Sequence, residues 1–396
     1  MAELGGDISG TGETLERIPQ ARPVIGEREQ ELVLEVMRSG MLSLGPMLGR
    51  FERDFAAYLG VDDAVALSSG TTALHLGVRE LGWGPGDEVL TSPLSFVASS
   101  NCLLFEGAMP RFCDVDPVTL CVDPAAVEAA ADESAVSGIL PIHIFGAGAP
   151  IAELEQIAER RGLGLLEDCA QALGTRTADG RMAGSRGNPS AFAFYANKQM
   201  TTGEGGVLVP GSAGAGEAAR SERNQGRAPG MKVMNHDRLG FNYRLTDIQA
   251  AIGIAQLERL GEMLEARRAL AASYSERLRE LGAVDPAEGA LEELLLPTAD
   301  VGEGRRSWFV YVVRVPAGTD RDAVIAALDE DGIDARPYLP CIHLHRLYRE
   351  RFGFSGGEFP VAEDFSSRAV GLPFYPALGE QQAERVVASL ARALGR

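Results

Sequence analysis

The chain has 396 residues, 45% of them hydrophobic, so it is long enough to bury a large core in one domain or two. Its 56 acidic and 37 basic residues give a formal net charge of -19, and no block of basic residues interrupts this acidity. Nucleic acid and anionic membrane surfaces are therefore poor candidate partners.

The cysteines are odd in number, are scattered and form no C-x-x-C pair: Cys102, Cys113, Cys121, Cys169 and Cys341. This pattern predicts neither a disulfide framework nor a zinc site, and it favours reduced thiols in the cytoplasm. Residues 1–20 carry acidic, Gly, Ser and Thr residues where a signal peptide needs a basic end and an apolar run. We expect a loose arm there, and the longest apolar stretches are too short to span a membrane.

Short apolar runs along the chain predict strands that are buried on both faces of a sheet. In chain order they cover residues 64–69, 87–93, 110–116, 138–146, 162–170, 190–196 and 205–210. Segments with helical spacing separate most of them, which predicts an α/β domain with a mainly parallel sheet over residues 60–245. Sheets of this kind bind ligands at the carboxyl ends of their strands.

The C-terminal part of the chain predicts a second, smaller α+β domain. A long amphipathic stretch over residues 245–282 is predicted to bridge to this domain, in which residues 307–315 form a strand and residues 320–334 a helix. The predicted organisation is a loose N-terminal arm, a large cofactor-binding domain that begins with a helix, and a small C-terminal domain, with the bounds 1–20, 21–255 and 256–396.

Lys198 is one of only two lysines in a chain that otherwise uses arginine, and it lies just after a predicted strand in the segment FAFYANKQMTTGEGG. Arginine stays protonated in proteins, whereas a partly buried lysine can lose its proton and form a Schiff base with a carbonyl. A strand end suits such a nucleophile. The alternative is a solvated lysine that has no role.

Three further segments lie at successive strand ends. The turn over residues 68–77 can bind a phosphate at a helix N-terminus, or it is simply a tight turn between strand and helix. Glu167 and Asp168 point to opposite faces of their strand, so that one carboxylate can pair with the nitrogen of a pyridoxal ring while the other is structural; each is alternatively a helix-capping acid. Phe96 can stack on a planar cofactor, or it belongs to the core.

The sequence resembles the sugar-nucleotide aminotransferases, the DegT-type group of pyridoxal-phosphate (PLP) enzymes of fold type I. The resemblance runs from Arg22 to the C-terminus, includes the segment SGMLSLGPMLGRFE, and depends on six motifs in the family's order: SSGTTALHL, SFVASSN, EDCAQALG, NKQMTTGEGG, GFNYRLTDIQAAIGIAQL and RPYLPCIHL. It implies a large domain whose mainly parallel sheet is sandwiched by helices, together with a smaller C-terminal domain.

The resemblance also implies the roles of residues at the cofactor. Lys198 would form the internal aldimine with PLP and then act as the general acid and base. Asp168 would pair with the pyridine nitrogen, and Gln171 would bond the phenolic oxygen. Phe96 would stack on the ring.

Gly70 and Thr71 would hold the cofactor phosphate. Asn242 would reach the phosphate of the neighbouring subunit's cofactor, because the family's active site lies at a homodimer interface. His343 lies in a segment that resembles a substrate-facing loop, or it is a packed histidine. Arg244 is a candidate cation for the diphosphate of a sugar nucleotide, as are other loop arginines.

The sequence departs from the family's pattern at three positions. Ala193 stands where relatives often have a serine that contacts the phosphate, which removes one hydrogen bond. Ala147 and His345 stand where glutamine is common, which affects substrate contacts and not the reaction class. Some relatives carry histidine in place of the lysine and are dehydratases, and Lys198 argues against that branch.

The function implied is transfer of an amine from glutamate to a nucleotide-linked keto-deoxysugar, a 4-keto-6-deoxyhexose above all. Alternatives within the family are a 3-keto sugar, a cyclitol ketone or an aromatizing dehydration. In a different class, the chain would be a catalytically silent PLP-binding regulatory protein. The presence of Lys198, Asp168 and Gln171 together argues against the silent protein.

Overall fold

The structure is a computed structural model that describes residues 16–132, 135–228, 235–298 and 300–396. The predicted loose arm therefore lies mostly outside the described residues, and only its last five residues are seen. Among these, Ile18 is fully buried and pairs with Ile333 of the C-terminal part of the chain. The Nε of Arg17 donates a hydrogen bond to Asp334 at 2.8 Å. These five residues thus pack against the rest of the chain.

The helices fall between and after the predicted strands. In chain order they are α1 Glu27–Ser39, α2 Pro46–Leu59, α3 Gly70–Glu80, α4 Ala98–Phe105, α5 Pro124–Ala130, α6 Ile151–Arg161, α7 Ala215–Glu222, α8 Asp247–Glu258, α9 Leu260–Glu280, α10 Arg321–Glu330, α11 Arg346–Phe352, α12 Pro360–Arg368 and α13 Glu380–Ala393. Among the helices that the structure describes, none is long and apolar enough to cross a membrane.

The strands match the apolar runs of the sequence. They are β1 Val65–Leu67, β2 Glu88–Thr91, β3 Met109–Phe112, β4 Val136–Leu140, β5 Gly164–Leu165, β6 Glu167–Asp168, β7 Ser190–Ala193, β8 Gly206–Val209, β9 Tyr311–Arg314, β10 Arg336–Pro337 and β11 Ala369–Leu372. Each of the seven runs predicted in the first part of the chain overlaps at least one of strands β1 to β8.

The first eight strands form one large twisted layer. Their order is β1-β8-β7-β6 and β3-β2-β4-β5, and the pairing of Ile142 with Asp168 joins the two halves beside β4 and β6. All of these strands run parallel except β8, which is antiparallel to both of its neighbours. The return from β7 to β8 spans only residues 194–205 and holds no helix, and a connection of this kind favours antiparallel pairing.

Helices cover both faces of this sheet. On one face α1, α2 and α8 pack over a core in which Phe55 meets Phe192 and Phe194 edge to face, with ring centroids 5.2 and 5.7 Å apart. On the other face α3 to α6 cover a second core of aliphatic side chains. Burial on both faces explains why the strands have apolar residues at nearly every position.

The C-terminal part contains a three-stranded antiparallel sheet in the order β10-β11-β9, packed against α9, α10 and α13. The amphipathic stretch over residues 245–282 forms the two helices α8 and α9, because the chain kinks at Arg259, where φ is -119° and ψ is 13°. The predicted domain boundary after residue 255 falls inside α8 and stays a prediction. Along α9, Met263 still packs in the core of the large sheet, whereas Leu270 packs in the core of the small one.

Candidate active site

A cavity of about 570 Å³ opens at the carboxyl ends of the parallel strands. Its walls bring together six of the residues predicted from the sequence: Gly70, Thr71, Phe96, Asp168, Gln171 and Lys198. They come from α3, the turn before α4, β6 and the turn that follows it, and the segment between β7 and β8. Strand ends thus meet at one edge of the sheet, as the doubly wound topology requires.

Lys198 lies in the turn between β7 and β8. The N–H of Phe194 donates to the carbonyl of Gly205 at 2.9 Å, and the N–H of Thr202 donates back to the carbonyl of Phe194 at 3.0 Å, which closes the segment. The amine lies 4.0 Å from the centre of the Phe309 ring, a cation–π distance. Burial lowers the pKa of Lys198 to about 8, against an opposing effect of the Asp168 charge. About half of the amine is therefore neutral at pH 8, and a neutral amine is the form that attacks a carbonyl.

Asp168 ends β6 and is almost fully buried. Its Oδ2 accepts a hydrogen bond from the hydroxyl of Ser99 at 2.7 Å, and its Oδ1 accepts one from the N–H of Ala170 at 2.9 Å. Burial raises the pKa of the Asp168 carboxyl, whereas these two donors and the charge of Lys198 favour the carboxylate. The arrangement provides a preoriented acceptor at the cavity wall.

Glu167, next to Asp168, points to the other face of the sheet, as the strand geometry predicts. Its Oε2 lies 3.0 Å from Nε2 of His143, and both side chains are fully buried. Nδ1 of His143 accepts the N–H of Ala149 at 2.9 Å, so Nε2 carries the proton and donates it to Glu167. Glu167 is therefore the structural member of the two carboxylates.

Helix α3 places its N-terminus at the cavity. The hydroxyl of Ser69 caps the helix by accepting the N–H of Thr72 at 3.2 Å, while Oγ1 of Thr72 accepts the N–H of Ser69 at 3.1 Å. The first N–H groups of a helix have no partner within the helix, and they favour an anion such as phosphate. A Cβ added at Gly70 would lie 2.5 Å from Cβ of Ala193, so the helix end approaches β7 as closely as a glycine allows.

Gln171 and Phe96 also line the cavity. Oε1 of Gln171 accepts the N–H of Phe145 at 2.8 Å, which leaves the amide NH₂ of Gln171 as the donor group of this side chain. The ring of Phe96 is 62% exposed, although most phenylalanines of the chain are buried. An exposed aromatic ring in a cavity wall is a suitable surface for stacking on a planar ligand.

Three predicted residues lie outside the walls of this cavity. Asn242 is exposed between Phe241 and Tyr243, whose rings stack 4.8 Å apart. Arg244 donates a hydrogen bond to Oδ1 of Asn224 at 3.0 Å. These contacts thus hold Asn242 at the surface, outside the cavity of its own chain.

His343 is fully buried away from the cavity. Its Nε2 lies 3.0 Å from Oε1 of Glu363, and its ring packs against Phe359 at 4.8 Å between centroids. Burial lowers the pKa of His343, and the hydrogen bond to Glu363 raises it. Of the two interpretations that the sequence left open, the structure favours the packed histidine.

The sequence reasoning missed several residues of the site. Ser99 lies one helical turn after Phe96, and this spacing in a segment already assigned to the site was a usable signal. Phe309 and Tyr338 come from the C-terminal part of the chain and close the cavity over Lys198. No local pattern marks them, because their role depends on how the two parts of the chain pack together.

A family model described as the DegT/DnrJ/EryC1/StrS aminotransferase family matches residues 23–391 of the chain. The chain belongs to this family. It is 36% identical over 383 residues to GDP-perosamine synthase of Caulobacter vibrioides, covering 96% of this chain and 99% of that protein. It is 34% identical over 383 residues to the spore coat polysaccharide biosynthesis protein SpsC of Bacillus subtilis, covering 93% of this chain and 95% of that protein.

Solved structures agree with this membership. A crystal structure of S. venezuelae DesV in complex with a ketimine intermediate superposes with a TM-score of 0.86 at 32% identity, covering 96% of this chain and all of that one. The predicted family and the α/β fold of fold type I are confirmed, and so is the PLP cofactor. The protein is a PLP-dependent sugar aminotransferase.

The residues of the cavity fit this cofactor. Lys198 offers an amine of lowered pKa, and Asp168 offers a buried carboxylate. The N-terminal turn of α3 forms a cradle at Gly70 that a single Cβ would fill. The individual roles of these residues stay predictions.

Proposed function

We propose that this DegT-family enzyme transfers an amine from glutamate to a nucleotide-linked 4-keto-6-deoxyhexose and so makes an amino sugar. The family membership supports the reaction class, and a relative named GDP-perosamine synthase supports a sugar carried on a nucleotide. The observation that carries the proposal is the Lys198 amine, buried in one cavity with Asp168.

The walls of the cavity beyond Lys198 suit a sugar. Aromatic rings come from Phe96, Tyr195 and Tyr338, and hydroxyl groups come from Ser95 and the tyrosines. Cavities that bind small molecules are mostly apolar and aromatic, with a few polar groups that fix the orientation of the ligand. Rings with polar edges match a deoxyhexose, which has apolar faces and a rim of hydroxyl groups.

Each residue has a defined task in this proposal. PLP, when bound, supplies the electron sink for bond changes at the carbon that carries the amine. Lys198 holds the cofactor, and its amine then takes and returns the proton at the reacting carbon, for which a pKa of about 8 is suitable. Asp168 would keep the ring nitrogen protonated, and Gln171 would donate its amide to the phenolic oxygen.

We also propose that the enzyme is a homodimer in which Asn242 contacts the phosphate of the neighbouring subunit's cofactor. The exposure of Asn242 on a rigid stack of aromatic rings supports this geometry. Mixing subunits that carry Lys198→Ala with subunits that carry Asn242→Ala would restore part of the activity, because one site of each mixed dimer keeps both residues. Complete inactivity of a verified mixed dimer would contradict the shared site.

The first test of the function is the absorbance spectrum of the protein with PLP, before and after glutamate. The wild type should show a band near the visible edge that glutamate converts to the pyridoxamine band, and Lys198→Ala should not. Lys232→Ala removes the other lysine of the chain and is the matched control, which should behave as the wild type does. A wild type that gives no response to glutamate would refute the aminotransferase proposal.

The second test identifies the acceptor. Enzyme loaded with amine by glutamate is offered nucleotide-linked 4-keto-6-deoxyhexose or the 3-keto isomer, and the product is identified by mass spectrometry and NMR. The 4-keto sugar should return the first spectrum and yield a 4-amino sugar. Turnover of the 3-keto isomer alone would refute the proposed substrate while leaving the reaction class intact.

A further inference from the structure

A buried arginine lies directly behind Lys198. Arg267, on α9, is 3% exposed, and within the described part of the chain its hydrogen bonds all go to backbone carbonyls. Its Nη2 donates to the carbonyl of Lys198 at 3.2 Å, and its Nη1 donates to those of Trp308 and Phe309 at 3.3 and 3.1 Å. One side chain thus connects the turn that carries Lys198 to the segment that carries the ring beneath its amine.

The charge of Arg267 has no counter-ion among the described residues. No carboxylate there forms an ion pair with it, its Nε has no hydrogen-bond partner, and its guanidinium carbon lies 5.6 Å from the centre of the Phe374 ring. Burial alone lowers the pKa of Arg267, to about 10, so the guanidinium stays charged at neutral pH. A buried charge without a counter-ion costs folding free energy, and buried charges in proteins are normally paired with an opposite charge. Arg267 instead places its charge where it bonds the backbone of two separate chain segments.

The segment that Arg267 contacts is held in an unusual conformation. Trp308 has a φ of +53°, in the left-handed region that is unfavourable for a bulky residue. On its other side Ser307 accepts hydrogen bonds from Nε2 of Gln199 and from Oγ1 of Thr175, both at 2.8 Å. Such backbone conformations persist where the surrounding contacts determine them fully, and they concentrate at functional sites.

We propose that Arg267 is a positioning residue that fixes the Lys198 turn against Phe309 and thereby keeps the amine against that ring. The cation–π contact of 4.0 Å depends on the relative placement of two chain segments, and Arg267 bonds the backbone of both. This proposal rests on the proposed role of Lys198 in binding the cofactor.

Other ionisable groups also face the Lys198 amine. Asp168, Glu204, Tyr195 and Tyr338 line the same cavity, and Asp168 is the one whose charge acts on the pKa of Lys198. Loss of Arg267 leaves these groups in place. It loosens the contact between the amine and the Phe309 ring, and a lysine amine that is better hydrated has a higher pKa.

Neighbouring residues of α9 provide a matched pair of variants. Arg268 donates to Asp300 at 3.2 Å and to the carbonyl of Arg306 at 3.3 Å, and it contacts neither Lys198 nor Phe309. The test compares Arg267→Met, Arg267→Lys and Arg268→Met in the PLP-free protein. An amine-reactive acylating reagent labels Lys198 over a range of pH, peptide mass spectrometry quantifies the label, and the pKa follows from the profile. Thermal melting is recorded for each variant.

In Arg267→Met the pKa of Lys198 should rise from about 8 by about one unit, which slows labelling at pH 7 about tenfold. Arg267→Lys can still donate to some of the three carbonyls, although without the fixed geometry of a guanidinium, so the rise should be smaller than in Arg267→Met. Arg268→Met should match the wild type.

Equal pKa values in Arg267→Met and Arg268→Met would overturn the proposal. If neither Arg267 variant folds like the wild type, Arg267 is a stability residue and the positioning role is rejected. The labelling needs no cofactor, so its outcome is separate from that of the glutamate test: a wild type that ignores glutamate refutes the proposed function, whereas unchanged labelling refutes only the role of Arg267.

Discussion

Replacing Lys198 by methionine should stabilise the PLP-free protein at neutral pH. The pKa of Lys198 falls from its usual 10.5 to about 8 because burial disfavours the charged amine. At about 1.4 kcal/mol for each tenfold change in proton affinity, this difference costs the folded state about 3 kcal/mol at pH 7. Methionine has a similar length and no charge, so Lys198→Met should raise the free energy of unfolding by about that amount.

The dependence on pH has a definite sign. Between pH 8 and 10.5 the unfolded chain holds a proton on Lys198 that the folded chain has released, so the free energy of unfolding of the wild type rises with pH in this window. The advantage of Lys198→Met should therefore be about 3 kcal/mol at pH 7, about 2 at pH 9 and about 1 at pH 10. Lys198→Arg keeps its charge over this whole pH range, so its free energy of unfolding should stay below that of Lys198→Met at every pH.

Urea unfolding followed by circular dichroism, at one protein concentration and at pH 7, 9 and 10, measures these differences. A constant difference between the wild type and Lys198→Met over this range would mean that the amine titrates like a solvated lysine. In that case the burial argument for Lys198, and with it the case for a poised nucleophile, would be refuted.

Two further substitutions test the cavity. Gly70→Ala places a Cβ 2.5 Å from that of the facing Ala193, so it should weaken PLP binding at least tenfold in a fluorescence titration. Gly261→Ala, where the space is open, is the control and should bind PLP as the wild type does. Equal affinities of the two variants would contradict the close approach at Gly70. Ser99→Ala removes a donor to Asp168, so the pKa of that carboxyl should rise further and the acid limb of the kcat–pH profile should move to higher pH by up to about one unit. Ser100→Ala is the control, and identical profiles would show that the hydroxyl of Ser99 does not act on the carboxylate.

The strands of the large sheet could be predicted because burial on both faces makes them apolar at nearly every position. Lys198 and Asp168 could be placed because Asp168 ends such a strand and Lys198 comes shortly after another. The orientation of β8 could not be read from its own residues, since an antiparallel strand that is buried on both faces looks like a parallel one. The break at Arg259 also left no trace, because the helical spacing continues across it.

The contribution of the C-terminal part to the cavity was beyond sequence reasoning. Phe309 was predicted to lie inside a strand, whereas the regular strand begins only at Tyr311, after the left-handed Trp308. Arg267 occupies one of many arginine positions on an amphipathic helix. Its hydrogen-bond partners are backbone carbonyl groups, which every residue carries. The identity of the partner residues therefore gives no signal of this contact in the sequence.

The way in which α3 crosses the sheet affects how the site tolerates mutation. Gly206 lies in β8 between Leu67 and Ala193, and a Cβ there would lie 2.3 Å from the carbonyl oxygen of Ser69. Backbone meets backbone at this crossing, so the spacing between the helix end and the strand that precedes Lys198 does not depend on the size of core side chains. Substitutions elsewhere in the core can accumulate over evolution without changing this spacing, provided that the glycines at the crossing are kept.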